Sequence, residues 1–463
     1  MIPTFFAMLV AFLFGISVVL LLWSASIRRS EIPMAIFLAL GIGLGISSCI
    51  FFLWISIFRG RHSGFSAAET LLVILLAACA IFVRRSARRS FSDLQDAQRE
   101  MPQRRPNCIL TAGFLLALLV AAVSFTRLSI AAPHGSFDAW GIWNLHAKFL
   151  FTNDQHWRDG FSSDLAWSHP DYPLLVPASI ARSWSYSAGE NTLAPICIAG
   201  LFTLATVGLL VSSLSALTDQ GQGLLAGIIL LATPFFVVLG AAQYSDVPLA
   251  FFFLATIVLF SLRNGAKRAL PLAGITAGLA AWTKNEGALF LAAILVAHFI
   301  LNLRARRWLE YSRELRAFAF GLLPILALLI YFKSSTTTYN DLFSQPGTLL
   351  HRLIELSRYR TILKALLSES FNFGAWFVSI IPCVAFYVLL VGIREDARKT
   401  ENAICYLALA LTSAGYLTIY LIAPFSLDWL LASSLNRLLI QLWPSVLFLV
   451  FLRARTPEEI SSL

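Results

Sequence analysis

The sequence predicts an all-α polytopic membrane protein of about thirteen transmembrane helices, with one large non-cytoplasmic loop early in the chain. Three observations predict it. Of 463 residues, 58% are hydrophobic and only 13% charged, a balance too apolar for a water-soluble core. Apolar runs recur along the whole length, each close to what a helix needs to cross a hydrocarbon layer about 30 Å thick. One long stretch, 127–192, breaks the pattern with carboxylates, aromatics and histidines.

Taken in order, the apolar windows place spans at 3–25, 32–58, 67–83, 108–126, 193–217, 223–241, 247–262, 269–283, 287–303, 317–332, 371–393, 402–424 and 437–452. The first begins after Met1-Ile2-Pro3-Thr4 with no basic region before it, which predicts a retained helix rather than a cleaved leader. A further apolar stretch, 172–188, is short and interrupted by Pro173, Pro177 and Arg182. Arginine and lysine decide its placement, because cytoplasmic loops collect them. If 172–188 does not cross, the loops 26–31, 84–107, 218–222, 263–268, 304–316, 394–401 and 453–463 share one side and carry 22 Lys and Arg, against 13 on the other side, which has the two longest loops. The segment therefore reads as a juxtamembrane or re-entrant helix. The tips near Asp138, Asp246 and Lys284, and the loop 333–370, then all face the non-cytoplasmic side.

The net charge of +10 sits mainly in short loops, so it reports orientation rather than a nucleic-acid partner. Cys49, Cys79, Cys108, Cys197, Cys383 and Cys405 lie in or at the ends of apolar spans without close pairing, which predicts neither disulfides nor a zinc knuckle. The Arg-rich segment 84–107 reads as a solvated cytoplasmic loop. It divides the chain into an N-terminal three-helix segment, 1–107, and a larger membrane region, 108–463, with outer loops 127–192 and 333–370.

The candidate functional residues cluster on the outer side. Asp138 sits in Phe137-Asp138-Ala139-Trp140-Gly141-Ile142-Trp143, where a carboxylate either serves chemistry or caps a short helix between interfacial tryptophans. Asp246, in Tyr244-Ser245-Asp246-Val247-Pro248, opens fourteen uncharged residues; it suits an N-cap, and an acid at the mouth of a bundle is also a functional candidate. Lys284 and Glu286 tip a tight hairpin, as an internal ion pair or with Lys284 as a phosphate contact. His134, His146, His156 and His169 share one loop, but their spacings of 12, 10 and 13 match no compact metal motif; a histidine there equally suits a sugar or phosphate. Trp140, Trp143, Trp157, Trp167 and Trp184 offer flat faces for sugar rings or for the interfacial belt. Lys148, Asp171 and Tyr172 complete the candidate binding residues of this loop. Lys333, Arg352, Arg358, Arg360 and Lys364, interspersed with leucines and isoleucines, read as a basic amphipathic helix on the membrane, suited to an anionic head group. Arg437, opening the last span, is a second phosphate candidate.

These motifs resemble those of the GT-C superfamily, membrane glycosyltransferases that use polyprenyl-phosphate sugars and include protein O-mannosyltransferases and lipid A aminoarabinose transferases. The resemblance rests on Asp138 in the first outer loop, His169-Pro170-Asp171-Tyr172-Pro173-Leu174, Asp246-Val247-Pro248 and Thr283-Lys284-Asn285-Glu286-Gly287. Asp138-Ala139 departs from the Asp-Glu pair typical of protein O-mannosyltransferases, which weighs against a protein acceptor. The resemblance implies a GT-C-like catalytic domain in which a sugar passes from a polyprenyl phosphate to a hydroxyl of a lipid, glycan or protein, at the outer face of the cell's inner (plasma) membrane. Asp138 is then the base, since the phosphate is a good leaving group and the acceptor hydroxyl is what needs deprotonation. Asp246 positions acceptor or sugar, or holds a divalent metal ion if there is one, while Lys284, Arg437 and the 352–364 face neutralise phosphate. No nucleotide-binding fingerprint appears, in keeping with a lipid-linked donor. The rival expectations are a transporter or flippase of a lipid-linked glycan or other anion, disfavoured by the absence of visible two-fold repeats, and a wall-polymer or O-antigen ligase with a lipid-pyrophosphate donor.

Overall fold

The computed structural model describes residues 1–23, 27–90, 108–152, 154–262, 269–336, 347, 349–375, 378–394, 402–456 and 459. Most of the segment 84–107, with the boundary expected at 107, lies outside them, as do loop 263–268 and nearly all of 394–401. The described chain is helical throughout, with no β-structure beyond an isolated bridge between Ile393 and Ala454. It begins with α1 (Ile2–Leu22), α2 (Ile32–Ile57), α3 (Phe65–Ser90) and α4 (Cys108–Ala131). The large loop holds a π-helical turn (Ala139–Trp143), α5 (Asn144–Thr152), two 3-10 turns and α6 (Leu175–Ser187). Then come α7 (Leu193–Leu217), α8 (Gln220–Leu231), α9 (Pro234–Ala241), α10 (Asp246–Ser261), α11 (Ala269–Thr283), α12 (Asn285–Ala305) and α13 (Trp308–Ser335). The C-terminal part has α14 (Leu349–Ile354), α15 (Leu356–Asn372), α16 (Ile380–Val391), α17 (Ala403–Ile422) and α18 (Leu427–Arg453).

Nine of these helices are long and apolar enough to cross a membrane, or ten if α8 and α9 form one span bent by 66°. The chain is a multi-pass membrane protein. The expected count of thirteen is not confirmed by helix length. The window 223–241 is broken where Pro234 forces Thr233 out of the helical region, and α10, α11 and α16 have only 16, 15 and 12 residues. At 1.5 Å per residue, α10 spans about 24 Å, less than a hydrocarbon core. It is enclosed instead: every residue from Asp246 to Phe260 is buried, against α7, α11 and α18. A helix apolar on all sides belongs at the centre of a bundle.

Small residues let the surrounding helices close up. Gly15 on α1 faces the backbone of Ala39, and Gly43 on α2 faces that of Ala11, so neither leaves room for a Cβ. Gly274 on α11 and Gly321 on α13 meet in the same reciprocal way, through the backbones of Phe318 and Pro271.

The segment expected at 172–188 is α6, 13 residues or about 20 Å, too short to cross. Arg182 is not an exposed interruption of it. Its Nε donates to both carboxylate oxygens of Glu69 on α3 at 2.9 Å and its Nη2 to the carbonyl of Ala7 on α1 at 2.9 Å, with both charged side chains buried. Tyr186 adds a hydroxyl to Glu69 at 2.8 Å. The helices α1 and α3 are thereby pinned to the large loop.

Candidate active site

Two local constraints bring Asp138 to Asp246. Gln243, held at φ 61°, donates its amide to the carbonyl of Pro133 at 3.0 Å, and the Ser136 N–H donates to the carbonyl of Ala242 at 3.2 Å. Asn144 donates to the carbonyl of His134 at 3.2 Å and to Gln243 Oε1 at 3.4 Å. The loop after α4 is thus stitched to the turn before α10.

The carboxylates do not serve as helix caps. Asp138 precedes the π-helical turn and Asp246 is the first residue of α10, after Ser245, and no side-chain cap bond forms at either helix start. Both acids turn instead to Arg437. Its Nη2 donates to Asp138 Oδ2 at 2.6 Å and to Asp246 Oδ2 at 2.8 Å, and its Nε to the same Asp246 oxygen at 3.1 Å. Asp246 Oδ1 accepts from Gln441 Nε2 at 2.6 Å and from Lys284 Nζ at 3.3 Å. Lys284 also pairs with Glu286 at 2.8 Å, and the Tyr416 hydroxyl donates to Gln441 Oε1 at 2.6 Å. Tyr244 lies under the guanidinium, 4.6 Å from ring centre to Cζ.

This corrects the expectation that Arg437 opens the last span. The helix begins at Leu427, so Arg437 sits ten residues inside it. Gln441, one turn further along the same face, went unnoticed in the sequence, although a polar residue four positions after an arginine in an apolar helix signals a shared face. Tyr416 and Tyr244 were missed as site residues as well, being single aromatics among many.

Burial sorts the roles. The Asp246 side chain is fully enclosed, whereas those of Asp138 and Arg437 each keep 18% of their surface. Of the two acids, Asp138 alone offers an edge to an incoming group. Burial, and after it the Glu286 carboxylate, push the Tyr172 phenol upward; burial and then Asp138 do the same to Tyr244. Neither tyrosine is a base at neutral pH. Burial, with His169 nearby, takes the His146 imidazole from 6.5 down to about 3, so it is neutral, with Nε2 3.2 Å from Ser168 Oγ.

The remaining candidates divide. Tyr172 stacks on Trp143 at 5.6 Å and on His169 at 4.9 Å, with Lys284 Nζ 5.7 Å from its ring. Asp171 accepts from Asn285 at 2.8 Å, while Lys333 donates to the Asp171 carbonyl and to Asn285 Oδ1. The His169–Tyr172 turn is thus fastened to α12 and α13. Trp140 is half exposed against Phe137, and Lys148 pairs with Glu190 at 3.4 Å; neither touches the acids. Arg352 donates to the carbonyl of Ile422, and Arg358 to those of Tyr420 and Ala423, so both close the C-terminal end of α17. Among the described residues no group of three or more His, Cys, Asp or Glu side chains is placed to hold a metal ion.

Residues 169–331 match the family model described as dolichyl-phosphate-mannose-protein mannosyltransferase. That match supports a GT-C membrane glycosyltransferase. No curated protein and no solved structure matches the chain. The matched stretch holds the His169–Tyr172 turn, Asp246, Lys284, Glu286 and Lys284's neighbour Asn285. Asp138, Arg437 and Gln441 lie outside it and join it through the contacts above.

Proposed function

We propose that the protein moves a sugar from a polyprenyl-phosphate donor to a hydroxyl acceptor, with inversion, on the non-cytoplasmic face of the inner (plasma) membrane. The observation that carries this reading is the pairing of one accessible carboxylate, Asp138, with one enclosed carboxylate, Asp246, on a single guanidinium that is itself partly exposed. Asp138 takes the proton of the acceptor hydroxyl. The acceptor oxygen forms its bond to the anomeric carbon on the face opposite the phosphate. The carbon–oxygen bond to phosphate breaks, and its electron pair leaves with the polyprenyl phosphate through an oxocarbenium-like transition state.

Asp246 has three partners and no open surface, so in this reading it positions Arg437 and Lys284 and does not touch the acceptor. Arg437 meets the phosphate charge that develops as the bond breaks. Tyr172 and His169, backed by the fully buried Trp143, border the site as an aromatic wall for the sugar. Leu350, Ile354, Leu356, Leu363, Leu367 and Phe371 are exposed on α14 and α15, a face that fits the lipid surface beside the donor.

The test is incubation of the purified protein with radiolabelled polyprenyl-phosphate hexoses or pentoses and membrane extract, followed by identification of the labelled acceptor. Transfer from the monophosphate supports the reading. Transfer only from a lipid pyrophosphate, or movement of donor across vesicles without transfer, overturns it.

A further inference from the structure

Among the described residues three carboxylates, Asp138, Asp246 and Glu286, meet two cations, Arg437 and Lys284, so this cluster carries a net charge of −1 when all are ionised. Both cations expected to receive a phosphate are already engaged. A second asymmetry lies between the two acids. Asp246 accepts from Gln441 and Lys284 as well as from Arg437, whereas the Asp138 carboxylate has Arg437 as its sole hydrogen-bond partner among the described residues. If the guanidinium turns toward another anion, Asp246 keeps two donors and Asp138 keeps none.

We propose that Arg437 is a latch on the base: it holds Asp138 in the unliganded protein, and the donor's phosphate releases Asp138 by competing for Nη2. The proposal rests on the lipid-phosphate reading above and adds the order of events to it. Competition is favoured because the Asp138 bond is on the open edge, while the two Asp246 bonds lie on the closed side. The guanidinium can keep its place over the Tyr244 ring, and its Nε and Nη2 bonds to Asp246, while the one Nη2 N–H that meets Asp138 changes partner. Phosphate oxygens match guanidinium geometry as well as a carboxylate does.

The experiment measures binding of a short-chain polyprenyl phosphate, without sugar, to the purified full chain in nanodiscs. The variants are Asp138→Asn, Arg437→Gln and the pair together. Removing the competitor in Asp138→Asn tightens binding, on the order of tenfold, the worth of one charge-assisted hydrogen bond. In the Arg437→Gln background the same change at Asp138 alters affinity less than about twofold on that argument. Equal tightening in both backgrounds is plain repulsion between carboxylate and phosphate and overturns the latch; so does no tightening in Asp138→Asn. Because Arg437→Gln leaves two acids uncompensated and is at risk of misfolding, a second readout needs no change at Arg437. Infrared difference spectra of the unaltered protein on adding the lipid phosphate show a carboxylate stretch shifting as the ion pair opens, and the band is absent in Asp138→Asn. A spectrum without that band overturns the latch. Failure of the unaltered protein to bind lipid phosphate at all is a separate result, which removes the donor assignment itself.

Discussion

Arg182→Met is the sharpest perturbation available away from the active site. The guanidinium donates twice to Glu69 and once to the Ala7 carbonyl, and both charged side chains are buried. Methionine keeps much of the volume but leaves the Glu69 carboxyl enclosed with the Tyr186 hydroxyl as its remaining hydrogen-bond partner among the described residues. Breaking a buried pair from one side costs about 3–5 kcal/mol. Replacing both partners by apolar residues removes the buried carboxyl together with its lost partner and can be close to neutral, so Glu69→Leu with Arg182→Met should recover all but about 1–2 kcal/mol, the Ala7 carbonyl keeping its place in the α1 ladder and the Tyr186 hydroxyl left with the longer bond to the Ser66 carbonyl at 3.4 Å. The assay is reversible unfolding of the purified protein in detergent micelles, followed by tryptophan fluorescence. A single substitution that costs no more than the double one would refute the argument, because the damage would then come from lost packing.

Further outcomes are expected on the same grounds. Asp138→Asn lowers transfer about a hundred- to ten-thousandfold at unchanged fold, read as product per enzyme by scintillation counting; normal turnover in it ends the base assignment. Gln441→Leu strips Asp246 of its 2.6 Å donor and orphans the Tyr416 hydroxyl, which should cost about 1–3 kcal/mol in stability and lower kcat more than it raises KM. Arg358→Ala should cost about 1–2 kcal/mol through the uncapped α17 carbonyls and leave donor affinity within about twofold; a large loss of affinity at unchanged stability would restore its expected contact with phosphate. For His146, whose folded value of about 3 lies below its ordinary 6.5, neutral burial contributes stability that is complete above about 6.5 and is lost as pH falls toward 3, at up to about 1.4 kcal/mol per pH unit. His146→Leu should flatten that acid limb in pH-jump unfolding, and an unaltered limb would show that another group causes it.

Much of the architecture was legible because apolar length alone marks a crossing helix, as in α1, α2 and α7. The break at Thr233-Pro234 was also written in the chain, yet a hydropathy window averages over a single proline. The early start of α18 was hidden for a related reason. Asp428, Ser433, Ser434, Asn436 and Arg437 depress its apolar character, and only the facing Asp138 and Asp246 explain the arginine, as the Tyr420 hydroxyl explains Ser434. Asp138, Asp246 and Lys284 were each visible as polar residues out of place. Their joint partner was misplaced at a helix end, and Gln441 was overlooked. Glu69 and Arg182 fall in separate segments: Arg182 reads only as an interruption of 172–188, Glu69 goes unremarked, and packing sets them side by side.

The kink between α8 and α9 carries a consequence for how the molecule is made. Its loose groups are met from far downstream: the Phe235 N–H by the carbonyl of Gly374 at 3.0 Å, and the Thr233 hydroxyl by the indole of Trp443 at 3.2 Å. Lipid offers no substitute for such partners. A nascent chain that ends before Gly374 therefore lacks both of these partners for the α8–α9 bend and has Asp138 and Asp246 still without Arg437, so the centre of the protein closes only when its final described helix arrives.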